Sequence, residues 1–246
     1  MMVKFGLALL LFLIAPVAWS AAQYYQHGVL HWRDARWDSA GVLRGQIPVG
    51  EAVFQVYSAR AWGKKGIVAV HSWVAFKRPG AVNFERYDVV GWGVSHGRDA
   101  IRRNMRPVDG RWAGNAPELI GELRGEAAAV AIRHADEVIA NYPHERSYVT
   151  YPGPNSNSFV AAILRAVPQS NIALPVTAIG KDYLAGHKLF AQAPSGTGYQ
   201  LSLFGLLGVT VAKLEGLEVN VLGMVFGVDP WHLGIKLPGV GRLSLR

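Results

Sequence analysis

The chain has 246 residues, half of them hydrophobic and 17% charged, with 25 Lys and Arg against 17 Asp and Glu and a net charge of +8. Such a chain can bury one sizeable core, which excludes an intrinsically disordered protein, and its positive balance favours an anionic partner such as a lipid surface, a cell-wall polymer or nucleic acid. Cysteine is absent, which excludes disulfides, thiol catalysis and cysteine metal sites, so any covalent nucleophile is an oxygen or a nitrogen.

The N-terminus carries Lys4 before a 13-residue apolar run, Phe5 to Val17, followed by small residues around Ser20, Ala21 and Ala22. This pattern predicts a signal peptide over residues 1–22 and an exported protein. The competing expectation is an uncleaved inner-membrane anchor, because Phe5 to Ala22 is 18 residues long and almost uncharged, the lower limit of a membrane span. Either way the mature chain belongs to the periplasm or the periplasmic face of the inner membrane. Residues 23–44 read as a polar, Trp-rich lead-in, and residues 45–246 as a single α+β domain.

Three runs rich in Val, aromatics and alternation predict strands, at residues 52–61, 66–76 and 83–93. The short turns at Gly63 to Gly66 and Arg78-Pro79-Gly80 make them antiparallel neighbours. Asn115-Ala116-Pro117-Glu118 then reads as a helix start. Leu119, Leu123, Ala127, Val130, Ala131 and Val138 continue that helix to Pro143, with His134 on its apolar stripe as a hydrogen-bonded core residue.

The stretch YPGPNSNSFV, residues 151–160, opens a second helix whose buried face is Phe159, Val160, Ile163 and Ala166, stopped by Pro168. Ser156 precedes Phe159 by three residues and Ile163 by seven, so it projects along the apolar face, where the helix dipole stabilises negative charge. It is either a cap or a nucleophile. A serine nucleophile needs a base within reach, and His71, in the middle of an apolar strand, is the best placed. Pairing through the Arg78-Pro79-Gly80 turn sets Tyr87 and Asp88 opposite His71 as candidates to orient its ring. The competing reading makes His71 a buried, hydrogen-bonded core residue.

Asn155-Ser156-Asn157-Ser158-Phe159-Val160, preceded in the chain by a strand histidine, resembles the N-C-x-x-F-V setting of the circularly permuted papain-like envelope amidases and their lecithin-retinol-acyltransferase relatives, with serine in place of cysteine. That resemblance implies a permuted papain-like topology and catalytic roles at Ser156, His71 and the adjoining Asn155. A broader resemblance, carried by YSARAWG, HSWVAFKRPGA, RYDVVGWG, GPNSNSFV, EGLEVNVLGMVFGVD and KLPGVGR, is to a bacterial family catalogued as domain of unknown function 3750. It spans residues 57–243 and implies one exported-type domain without an assigned activity.

The segment from Tyr199 to Val228 is apolar enough to suggest membrane spans, but Lys213, Glu215 and Glu218 interrupt it and Gly216 suits a turn, so a buried β-hairpin is expected. The final WHLGIKLPGVGRLSLR mixes apolar and basic residues in a pattern that suits either an anionic membrane surface or a solvated tail. Arg102, Arg103 and Arg106 belong to a run of five arginines that is a candidate site for an anionic ligand or a solvated face. No phosphate loop, dinucleotide fingerprint, zinc spacing or GxSxG elbow occurs, so no cofactor, metal or nucleic-acid partner is expected. The sequence therefore predicts one α+β domain, an antiparallel sheet flanked by helices. Its function is either a Ser156/His71 hydrolase or acyltransferase on amides or esters of envelope material, or a non-catalytic module that binds an envelope component or lipid surface.

Overall fold

The computed structural model describes residues 2–26, 31–43, 47–168 and 170–245, the backbone alone being described for 2–13 and His187. The domain start expected near residue 45 lies outside the described residues. Among the described residues twelve strands form two antiparallel sheets, so the fold is α+β, with three α-helices. Helix α1 spans Met2–Gln26. Among the described residues no helix is long and apolar enough to cross a membrane.

The first sheet has five strands: β1 Val53–Arg60, β2 Val70–Lys77, β3 Glu85–Val89, β4 Ile101–Arg103 and β5 Glu118–Arg124, in the spatial order β4-β3-β2-β1-β5. The first three coincide with the Val- and aromatic-rich runs. Strand β5 replaces the expected first turns of a helix from Asn115. Glu118 to Arg124 pairs with β1 along its whole length, with a register shift at Val56/Tyr57. The helical stripe at Leu119 and Leu123 is thus a coincidence of spacing, which the unpaired edge of β1 overrides. Gly121 is needed within β5 because a side chain there would meet Ile172 at 2.7 Å.

Helix α2 spans Gly125–Ala140 and buries Ala128, Ala131, Ile132 and Ala135. His134 is not a core residue as expected, because its ring is partly exposed and lies 3.5 Å from Glu137 one turn on. Helix α3 spans Ser156–Ala166. The two helices cover one face of the sheet, where Phe54, Val56, Val74 and Phe76 meet Phe159, Val160, Ile163 and Leu164. The opposite face buries Tyr57, Trp73, Ala75 and Trp112 beneath Trp37, Val42 and Met105. The stretch expected to lead into the domain therefore packs on it. Asp109 accepts hydrogen bonds from the Ser39 hydroxyl and the Val42 and Leu43 amides.

The second sheet is a seven-stranded meander: β6 Phe190–Gln192, β7 Gly198–Leu203, β8 Leu207–Ala212, β9 Gly216–Val221, β10 Met224–Asp229, β11 Gly234–Leu237 and β12 Gly241–Ser244. The segment from Tyr199 to Val228 is thus four strands of a larger sheet and not one buried hairpin. Its residues alternate against expectation, with polar side chains on the inner face and apolar ones outside. The inner face is held by paired charges. Glu218 accepts from Lys181 at 2.5 Å and from Lys236 at 2.7 Å, and Lys236 also donates to the Glu215 carbonyl. Arg165 of α3 donates to Gln200 and to the Lys181 carbonyl, which locks the helix onto the meander.

A buried charge is tolerated only when paired, and removing one partner leaves the others stranded. Glu218→Gln would take from two buried ammonium groups the carboxylate they share, with an expected loss of about 3–5 kcal/mol. It should appear as a lower urea midpoint at unchanged slope. A loss below about 1 kcal/mol, the scale of an exposed pair, would mean that the inner face is solvated.

Candidate functional site

β2 begins beside the N-terminus of α3, and this junction shapes the site. Asn157 donates from Nδ2 to the Val70 carbonyl at 3.0 Å and to the Ile179 carbonyl at 2.8 Å, and so ties the first turn of α3 to the first residue of β2. Asn155 is the N-cap. Its Oδ1 accepts from the Asn157 and Ser158 amides, its Nδ2 donates to the Thr150 and Ile179 carbonyls, and the Ser158 hydroxyl closes a capping box. Asn155 spends its side chain on the backbone, which corrects its candidacy as a catalytic group. Gly180, at φ +99°, approaches so closely that a side chain there would run into the Asn155 amide.

With Asn155 as the cap, Ser156 is the first helical residue and is not needed for capping. It is buried, yet neither its hydroxyl nor its backbone N–H bonds to any described residue. Together with His71 it lines a cavity of about 610 Å³, walled by Trp92, Trp112, Tyr148 and Tyr151. Gly91 forms part of the rim because Tyr148 packs against it, and a side chain there would meet that ring at 2.6 Å. The Asn157 Oδ1 is buried without a partner among the described residues.

His71 occupies the face of β2 that carries Trp73, opposite the one that carries α3. It therefore reaches the cavity at the end of the sheet and does not face the helix across the core. Its Nε2 lies 2.9 Å from Asp88 Oδ1, and its ring stacks on Trp112 with centroids 3.4 Å apart at 8°. Asp88 also receives both nitrogens of one edge of Arg86, Nε at 2.7 Å and Nη2 at 2.8 Å. The Arg86 guanidinium lies 3.9 Å from the Trp73 ring and donates to the Pro107 carbonyl. All three charged or titratable groups are buried.

The register differs from the one expected. Tyr87 pairs with Val74, so Asp88 stands opposite Trp73 and reaches His71 diagonally along the same face. Tyr87 points to the other face, stacks on Phe76 and donates to Glu85 at 3.0 Å. Asp88 is thus the residue that meets His71, and Tyr87 is not. The arginines diverge as well. Arg102 donates to the Trp92 carbonyl, Arg103 pairs with Glu85 at 3.2 Å, and Arg106 packs 4.2 Å over Trp37. They do not form one anion site, because Arg102 and Arg103 alternate to opposite faces of β4 and Arg106 lies in the loop beyond it, against Trp37. The sequence reading missed Trp92, Trp112 and Arg86, although the clustering of tryptophans and the Arg86-x-Asp88 spacing along a strand were visible signals.

The electrostatics fix a tautomer. Burial pushes Asp88 up, but the Arg86 guanidinium and the His71 bond outweigh it and hold its carboxyl at about 2. Burial lowers the His71 pKa, and Asp88 offsets this in part. An ionised carboxylate only accepts, so Nε2–H of His71 donates to Asp88 and the lone pair resides on Nδ1, which meets no described protein partner. No hydrogen bond joins Ser156 to His71 in this structure.

The pH dependence follows from these shifts. With its folded pKa below the ordinary value near 6.5, His71 binds fewer protons folded than unfolded, so stability falls as pH drops from about 6.5. Asp88, depressed, contributes stability that is complete above an unfolded pKa of about 3.9 and is lost as pH falls toward 2. Denaturant titrations at stepped pH should show both declines, and His71→Gln should flatten only the upper one. A wild-type curve flat from about pH 8 to 5 would contradict a neutral, buried His71.

Comparison with known proteins adds one assignment. No curated protein and no solved structure matches the chain. The model of the family described as "Protein of unknown function (DUF3750)" matches residues 51–183, a span that runs from β1 through α3 and contains His71, Asp88 and Ser156. The chain belongs to that family.

Proposed function

We propose that the protein is a serine hydrolase or acyltransferase acting on amide or ester bonds of envelope material, with Ser156 as nucleophile and His71 as general base. The observation that carries this reading is the pairing of an unbonded Ser156 hydroxyl with a histidine in one cavity, the histidine being oriented through Nε2 by Asp88. Proton transfer from the Ser156 Oγ to the His71 Nδ1 requires a bridging water or a rotation of the serine, and apo contacts of this kind often tighten with substrate. Ser156 Oγ then attacks the acyl carbon, and the imidazolium returns the proton to the leaving amine or alcohol. Water, or an acceptor alcohol or amine, releases the acyl group in a second cycle of the same base. The negative charge on the carbonyl oxygen meets the free Ser156 N–H at the positive end of α3. Asp88 is a positioning residue for His71, and Arg86 keeps it ionised.

The same reading locates the protein at the envelope, exported or held there by its N-terminal segment. A second reading, a non-catalytic binding module using the same cavity, draws on the aromatic wall of Trp92, Trp112, Tyr148 and Tyr151 and on the missing Ser156–His71 hydrogen bond. It needs no chemistry at the serine.

A fluorophosphonate probe separates the two. Wild-type protein should label at Ser156, and Ser156→Ala and His71→Ala should abolish labelling. Because Asn155 is the cap, Ser156→Ala should cost well under the loss of about 1 kcal/mol typical of a removed cap, whereas Asn155→Ala should cost at least that much. Ser156→Cys should retain labelling by a thiol-directed acylating probe. Wild-type protein that never labels, in the presence or absence of lipid, would favour the binding module.

A further inference from the structure

The meander presents an outer face whose composition suits hydrocarbon. Reading across neighbouring strands, it carries Tyr199, Leu201 and Leu203 on β7, Leu207, Val209 and Val211 on β8, and Leu217, Val219 and Val221 on β9. Met224, Phe226 and Val228 on β10, Ile235 on β11 and Leu243 on β12 complete it. No charged side chain stands in these rows. Tyr199 is 59% exposed, Leu201 57% and Val211 60%. The inner face of the same strands buries Gln200, Thr210, Glu218, Asn220, Asp229 and Lys236, so the polarity of the sheet is inverted relative to that of a sheet facing water. The six-residue strands β7 to β10 and the shorter β6, β11 and β12, at about 3.3 Å per residue and about 4.8 Å apart, give a footprint near 550 Å². That is at the upper end of the largest apolar patch on an ordinary monomer.

We propose that this face lies on a lipid bilayer. A protein partner over such an area would ask for several hydrogen bonds within it, whereas the face offers only the Tyr199 hydroxyl and, at its edge, Gln192. A bilayer asks for none. Around the face stand the groups a headgroup layer takes up: exposed Lys213 after β8, exposed Lys188 before β6, and Trp231, 61% exposed, in the turn after β10. The net charge of +8 complements anionic phospholipid. The inference is independent of catalysis, but it bears on the cavity. Leu222 and Met224 belong both to the β9–β10 end of this face and to the cavity wall, so a docked sheet would bring the cavity to the lipid.

Full-length protein is mixed with vesicles of phosphatidylcholine and phosphatidylglycerol that carry a diazirine on one acyl chain. After irradiation, labelled peptides are mapped by mass spectrometry. Label is expected on outer-face residues between Tyr199 and Leu243 and not on α2. The double substitution Val209→Glu/Val219→Glu, at exposed positions, should remove most of the sheet label while residues 2–26 label as before. Wild-type label confined to residues 2–26, or absent, would overturn the proposal whatever the variants do. So would a sheet protected from label in a dimer that Val219→Glu dissociates, since the occupant would then be a second copy. The readout is label position and not turnover, so its failure leaves the hydrolase reading standing.

Discussion

A guanidinium buried in the core of a sheet is costly unless a carboxylate lies against it, and Arg86 has Asp88. The bidentate pair, at 2.7 and 2.8 Å, is enclosed by Trp73 and the Pro107 carbonyl, and what remains of the Asp88 valence goes to His71. Breaking such a pair by removing one partner typically costs about 3–5 kcal/mol, because the other charge remains buried. Both residues belong to β3; Asp88 ties that strand to β2 through His71, and Arg86 ties it to the loop after β4 through the Pro107 carbonyl. In the same stroke the pair fixes which nitrogen of His71 faces the cavity. A hydrophobic replacement of similar shape would hold the strands together equally well but would leave the ring free to turn.

The second requirement is a helix terminus that is capped without using its first residue. Asn155 satisfies the Asn157 and Ser158 amides, Asn157 reaches across to β2, and Ser156 remains unbonded between them. Arg165, at the far end of the same helix, reaches the meander through Gln200 and the Lys181 carbonyl. Burial lowers its pKa to about 10, so it stays charged at neutral pH and its bonds persist. One short helix thus joins the two sheets and carries the serine at the end nearer His71.

Much of this was legible in the sequence. The alternation of Val and aromatics located β1, β2 and β3, the crowded YPGPNSNSFV marked the start of α3, and His71 and Ser156 were singled out as a pair. Other features depended on contacts between distant segments. Glu118 to Arg124 has apolar residues at helical spacing, yet it forms a strand because the edge of β1 is free to pair with it. The register of β3 is offset from the simple turn count, which turned Tyr87 into the core and brought Asp88 to the histidine along a diagonal. Arg102, Arg103 and Arg106 are close in the chain, but the pleat of β4 separates the first two and the loop carries the third to Trp37. The meander was hardest to foresee. Its alternation is strict, but the assumption that apolar residues face inward assigns each strand to the wrong face, and only the lysines and glutamates paired beneath the sheet reveal which side is the interior.

The proposed chemistry at Ser156 and the pH dependence of folding both need His71 to be a neutral imidazole whose proton is held on Nε2 by Asp88 and whose Nδ1 is free to take another. Nitrogen-detected NMR of protein labelled at histidine reads this tautomer and its titration. The expected result is an Nε2–H imidazole at neutral pH that stays neutral below the ordinary histidine pKa of about 6.5 and loses its tautomer preference in Asp88→Asn. A His71 that carries its proton on Nδ1, or that is already an imidazolium at pH 7, would contradict it.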